Sequence, residues 1–458
     1  MPVEALRTHF MQYALKRLQP EKDAPLAAPL RSIMAAPDVT RYLARKREEI
    51  ALLDACLDEP LTLPEPRSVQ DAIDVKLKLA AALRARTSLH SWAITETARP
   101  DVGQWQTGAY RLSFAYQRAD LDVDGPPIYP VLDAHAKGCA VETLYTTSGM
   151  SAIAVLVHAL VHVHGHLEVH AHRGGYGETR ELLERFRDRV HFAPLTRRRN
   201  APPAVGARIV FLDSVAGGLP QRDDPLPRDT AMIVCDTTCW WQESGRIARV
   251  VRWARRHDVP LALIRSHAKL DGLGIEYGRL GSIVFSWRRA GVRLRDLVHA
   301  ARDTVRLIGA APVPAHFPPF TGTDAYRRIS ARRTAAIIKA TRRLRDALRD
   351  TALAPGLGMY THGLYLTIAL GGDLRVKDVK RAVDALCEAL IGQGLPVRHA
   401  GSFGFDFVAL EWFPDPSTRR NVIRIAPGDL PVSVMDRVAD GIVRWFSLQT
   451  AALGTTDK

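Results

Sequence analysis

Between residues about 140 and 290 the chain alternates short apolar runs with longer amphipathic stretches, and this rhythm constrains the fold more than any other feature. The runs VETLYTT, HLEVHA, ARIVFLD, AMIVCD, VPLALIRS and GSIVFSW have the length and apolar character of buried strands. Between them SAIAVLVHALVHV, ETRELLERFRDRV and RIARVVRWARRH carry helical periodicity. Strands alternating with helices predict an α/β fold, a mostly parallel sheet with helices on both faces. Ligands of such sheets bind beyond the carboxyl ends of the strands, so chemistry is sought where strands end.

The flanks read differently. Residues 1–110 are predicted to form a helical N-terminal extension, with VTRYLARKREEIALLDACL and VQDAIDVKLKLAAALRART separated by the proline-rich LDEPLTLPEPRS. It carries no evident chemistry and suits a cap or a subunit contact. Residues 111–310 hold the large α/β domain. After the break APVPAHFPPF, residues 311–458 supply a long helix and then LYLTIAL, VKDVKRAVDALCEALI, VALEWF and VIRIAP, a smaller C-terminal α/β domain.

Composition narrows the function classes. With 458 residues, 47% of them hydrophobic and 24% charged, the chain has the make-up of a soluble globular protein. No apolar run approaches the roughly 18 residues of a membrane span, and the N-terminus lacks the apolar core of a secretory signal. A cytoplasmic location is expected. The five cysteines are too few and too scattered for a disulfide framework. A net charge of +14 raises nucleic-acid binding as an alternative of a different class, but no nucleic-acid motif accompanies the basic stretches. The six histidines between His158 and His172 are divided among a helix end, a turn and a strand, and DLDVD lacks the rest of a calcium loop. No metal site is expected.

Four strand ends carry candidate chemistry. In YTTSGMSAI a helix starts near Ser151, where free amides and the positive dipole end attract a phosphate, and Gly149 permits close approach. GGYGET places Tyr176 on an exposed turn, where its ring can lie on a planar ligand. IVCDTT ends an apolar strand on Asp236, a carboxylate that needs a cap or a cationic partner. RSHAKLDGLG follows VPLALI and carries Lys269, the only lysine between Lys137 and Lys339 in a chain that has just 11. Together these are the parts needed to hold pyridoxal phosphate: a phosphate turn, a stacking ring, an acid for the ring nitrogen and a lysine for the aldehyde.

In this order the motifs resemble the cystathionine γ-synthase/γ-lyase family of pyridoxal-phosphate enzymes, of the aspartate-aminotransferase-like, fold-type-I class. The resemblance spans roughly residues 110–450 and implies several roles. Gly149 and Met150 would give amides to the phosphate, and Ser266 would also bind it. Tyr176 would stack on the cofactor and assist proton transfer, Asp236 would pair with the pyridine nitrogen, and Lys269 would form the imine. Tyr116 and Arg118, in YQR, resemble the Tyr-x-Arg that reaches a neighbouring subunit's phosphate site. Arg424, in VIRIAPG, resembles the arginine that binds the substrate carboxylate, with Ser402 of GSFG near it. The chain departs from the family at Ala268, where a threonine is usual, at LDSVAGG, and in an extra helical stretch, RIARVVRWARRH, before Lys269.

The resemblance implies a pyridoxal 5'-phosphate-dependent lyase or synthase, eliminating or replacing a group at the β or γ carbon of an amino acid, in a setting such as specialised metabolism. It also implies a homodimer or homotetramer with shared active sites. An aminotransferase on the same fold is the alternative that cofactor residues alone do not separate.

Overall fold

The computed structural model describes residues 36–95, 104–114, 121–133, 138–172, 174–195, 206–216, 219–221, 224–288, 292–351, 353–360, 362–369, 375–415 and 420–454. These fall into two compact units. One comprises residues up to 86, 272–276 and 325 onward; the other comprises 87–271 and 277–324. The first begins with helix α1 (Pro37–Asp54) and most of α2 (Val69–Thr95).

The second unit opens on a meander, β1 (Gln104–Thr107), β2 (Tyr110–Phe114) and β3 (Leu121–Asp124), antiparallel throughout. Residues up to 110 read as mostly helical, and β1 is a strand within them after α1 and α2. A two-residue turn at Gly108, which takes φ +56°, folds QWQT back onto YRLSF.

Seven further strands form one sheet: β4 (Cys139–Thr146), β5 (Leu167–Ala171), β6 (Val190–Pro194), β7 (Ala207–Asp213), β8 (Thr230–Asp236), β9 (Leu261–Ser266) and β10 (Gly281–Arg288). Their order is β4-β10-β9-β8-β7-β5-β6, and only β10 runs against the rest. The sheet is therefore mostly parallel, as the alternation predicts. β6 is new: ETRELLERFRDRV stops being helical at Arg185, and VHFAP forms an edge strand. RIARVVRWARRH, which looks like an insertion, is helix α5 (Gly245–Arg256) between the parallel neighbours β8 and β9. Parallel neighbours require such a crossover.

Alternate residues of the central strands are buried on both faces. Ile209, Phe211, Val234, Ala262 and Ile264 share a core with helices α3 (Gly149–His164) and α6 (Val292–Leu307), while Val210, Leu212, Ile233 and Leu263 are buried as well. A strand buried on both sides reads as an unbroken apolar run, which is the pattern seen. Helix α4 (Gly177–Arg185) follows β5.

The first unit continues with α7 (Asp324–Arg349), β11 (Leu357–Met359), β12 (Leu366–Ile368), α8 (Val376–Ile391), β13 (Val397–His399), β14 (Val408–Pro414), β15 (Asn421–Ala426) and α9 (Val432–Gly454). Its sheet has the order β11-β12-β15-β14-β13. Asp38, in the first turn of α1, accepts both the N–H (2.9 Å) and the Oγ–H (3.1 Å) of Ser433 at the start of α9. The N-terminal helices are thus built into the same unit as the C-terminal strands. No described helix is long and apolar enough to cross a membrane.

Candidate active site

The large sheet brings the strand ends together through one glycine. Gly281 of β10 pairs with both Thr146 of β4 and Ser266 of β9. The turn after β4 therefore stands over Gly281 and against Ser266. A Cβ on Gly281 would lie 2.1 Å from Ser148 O, and one on Gly149 would lie 2.9 Å from Ser266 Cβ. Both positions need glycine for space.

Ser148 caps α3: its Oγ accepts the Ser151 N–H at 3.0 Å, and its carbonyl accepts the Ala152 N–H at 3.0 Å. The first-turn amides that remain for an anion are those of Gly149 and Met150, at the positive end of a 16-residue helix. Ser266 is brought to the same turn. The three residues assigned to phosphate binding in this unit therefore lie side by side.

Tyr176 is half-buried at the N-cap of α4, and its backbone N–H donates to Asp213 Oδ2 at 2.6 Å. The other oxygen of Asp213 accepts the Val215 N–H at 2.7 Å. Tyr176 and Asp213 line one small cleft with His172, Thr179 and Phe211. Asp213 is a further candidate that sequence reasoning missed. The signal was present, because ARIVFLD closes an apolar strand on a carboxylate just as AMIVCD does.

Asp236 ends β8 in register with Asp213 and is buried. Its Oδ1 accepts the Thr238 N–H at 2.8 Å, and Thr238 Oγ1 accepts the Ser266 N–H at 3.0 Å. The acid turn is thereby tied to the serine. Burial raises the Asp236 pKa, opposed by the Thr238 hydrogen bonds and by the charges of Arg265 and Lys269. Burial and the neighbouring Asp236 charge push Asp213 up to about 7.

Lys269 is half-buried in the loop after β9, near enough for its charge to act on Asp236. The loop is short and closed on itself, since Arg265 and Asp271 on either side of Lys269 form a buried ion pair. One unit thus assembles Gly149, Met150, Ser266, Asp236, Tyr176 and Lys269 at the strand ends and turns of one sheet.

The other candidates stand elsewhere. Tyr116 and Arg118 lie outside the described residues. Arg424 and Ser402 belong to the first unit, both buried. Arg424 on β15 pairs across the ladder with Glu411 of β14, and its guanidinium lies 5.1 Å from the Tyr365 ring centre and 4.6 Å from that of Phe413. Among the described residues no group of three or more metal-ligating side chains is assembled.

No family model and no curated relative matches this sequence. Solved structures similar to it include a cystathionine gamma lyase (CalE6) of Micromonospora echinospora, 14% identical over 65% of this chain and 81% of that one, with a TM-score of 0.42. Another is an aromatic amino acid aminotransferase of Burkholderia cenocepacia, 19% identical over 70% and 81%, TM-score 0.43. A third is the metB protein of Corynebacterium glutamicum, 13% identical over 66% and 81%, TM-score 0.45. At this level of likeness the functional reading rests on the geometry of the strand ends.

Proposed function

We propose that the chain is a fold-type-I, pyridoxal 5'-phosphate-dependent enzyme that eliminates or replaces a group at the β or γ carbon of an amino acid. One observation carries the reading: a lysine and a buried acid whose charges act on each other stand beside a serine packed onto a glycine turn with two free amides. The residues fit the cofactor. Gly149, Met150 and Ser266 suit its phosphate, Asp236 its ring nitrogen and Lys269 its aldehyde. When bound, the cofactor supplies an electron sink for charge developing at the substrate α carbon.

Asp236 holds a proton on the ring nitrogen, where burial strengthens the pairing. Lys269 Nζ would take and return protons at the substrate α carbon. Asp213 seats the backbone of Tyr176, whose hydroxyl is the candidate to protonate a leaving group. The sheet holds all of them on strand ends rather than on long loops, which suits precise orientation.

The test is direct. Purified protein supplied with pyridoxal phosphate becomes yellow, and borohydride fixes the cofactor on the peptide containing Lys269. A protein that stays colourless, or a label found elsewhere, refutes the reading. Ammonia and a keto acid released from an amino acid without added keto acid separate elimination from transamination.

A further inference from the structure

We infer that Arg265 and Asp271 form a positioning pair that sets the separation between Lys269 and Asp236. The inference rests on the reading of those two residues as the working amine and acid. Arg265 is the residue before Ser266 on β9, so its side chain points to the opposite face, where it is fully buried. Its Nε and Nη2 donate to the two oxygens of Asp271, each at 2.6 Å. Its Nη1 donates to the carbonyls of Thr237 (3.1 Å) and Trp240 (2.8 Å). One guanidinium therefore closes the loop that carries Lys269 and also grips the turn that follows Asp236.

The other partners complete the brace. Asp271, also fully buried, accepts from His267 Nδ1 at 2.8 Å, and His267 Nε2 meets Ser282 Oγ on β10 at 2.9 Å. Thr237 N–H donates to Ile264 O at 2.8 Å, and the Tyr129 hydroxyl meets Thr237 Oγ1 at 2.6 Å. Stability alone is a weak reason for such a pair, because apolar residues of similar size commonly replace a buried ion pair without loss. What apolar residues cannot do is hold two carbonyls and both oxygens of a carboxylate at once. Lysine cannot either, having three donors at a single point.

The experiment uses the full chain without cofactor. Acetylation of Lys269 is followed against pH by peptide mass spectrometry, with exposed Lys339 as the internal reference. The midpoint reports how strongly the Asp236 carboxylate holds the amine's proton. Asp236→Asn should lower it by about half a pH unit or more. Arg265→Lys preserves charge but loses the fork, and should lower it comparably while Lys339 stays put. Arg265→Met combined with Asp271→Asn removes both charges in balance and leaves His267 an acceptor, so it covers the case in which Arg265→Lys does not fold. The same fall in the double variant, with native circular dichroism, supports the pair's role. A wild-type midpoint in the folded double variant, or in Asp236→Asn, overturns it. A chain that fails to take up pyridoxal phosphate while these shifts appear would refute the proposed function and leave the positioning pair standing.

Discussion

Asp213 and Asp236 end neighbouring parallel strands in register, so two buried carboxylates share one stretch of the sheet's carboxyl edge. Like charges at that spacing resist joint ionisation. Burial and Asp236 push Asp213 up to about 7, whereas an unfolded aspartate titrates near about 3.9. As pH rises through that window the unfolded chain releases a proton that the folded chain keeps. Stability therefore falls between pH about 4 and about 7. Cofactor-free protein should show this fall in its melting temperature. Asp213→Asn should flatten it by on the order of 4 kcal/mol. Parallel melting profiles for variant and wild type would contradict the strained pair.

The turn over Gly281 makes a sharper demand. An added methyl at Gly149 meets Ser266 Cβ at 2.9 Å, so either the turn or the serine must shift. Gly149→Ala should weaken retention of pyridoxal phosphate by about tenfold or more, while destabilising the fold by only about 1–3 kcal/mol. Met150 packs its side chain against the core, and its amide is what the phosphate needs. Met150→Leu should therefore retain cofactor normally. Equilibrium dialysis read by absorbance compares the two, and equal losses would argue against an amide-lined phosphate turn.

Much of this arrangement can be read from the chain alone, and the reasons are local. β7, β8 and β9 announce themselves because strands buried on both faces carry long apolar runs, whereas β4 and β5 show as shorter runs broken by polar residues. β6 hides behind the charged helix α4 and is an edge strand with only Val190 fully buried, so no long apolar run marks it. Lys269, Asp236 and Gly149 are visible because each closes or follows such a run. Asp213 carries the same mark, but LDSVAGG reads only as a departure from the family's motif, which gives its carboxylate no role. The Arg265–Asp271 brace is different in kind. Nothing in RSHAKLD distinguishes a buried arginine from a surface one, and its carbonyl partners Thr237 and Trp240 lie about one crossover away in sequence.

Long-range pairing also conceals a buried charge cluster in the first unit. Lys46, Lys76 and Arg333 meet Glu49, Asp406 and Asp429 with all six side chains buried. Lys76 also donates to the carbonyl of Leu273 at 2.6 Å. Three buried cations face three buried carboxylates, and half-buried Arg45 also donates to Asp429 Oδ1 at 3.0 Å, so removing a buried member leaves an opposite charge under-compensated. Lys76→Met should cost about 3–5 kcal/mol by denaturant titration. Burial alone would raise the pKa of Asp406, but Arg333, Lys46 and Lys76 outweigh it and hold the group well below the usual range. That stability is present above the ordinary aspartate pKa and is lost as pH falls. Lys76→Met should accordingly be less sensitive to acid than wild type, and an unchanged acid limb would count against the cluster's role.

Arg424 poses the last question, because its candidate role as a carboxylate binder meets a carboxylate already present. Glu411 pairs with it across the β14–β15 ladder, and Tyr365 and Phe413 flank the guanidinium. If Arg424 has that role, a substrate carboxylate competes with Glu411 for it. Glu411→Gln removes the competitor's charge and should lower KM for whichever amino acid is turned over. Arg424→Lys keeps the charge but gives up the planar fork and its stacking, and should raise KM about tenfold, or about 1.4 kcal/mol, with a smaller change in kcat. Opposite movements of KM in the two variants are the signature of competition for one guanidinium. If neither variant moves KM, Arg424 and Glu411 form a cross-strand pair that serves only the sheet.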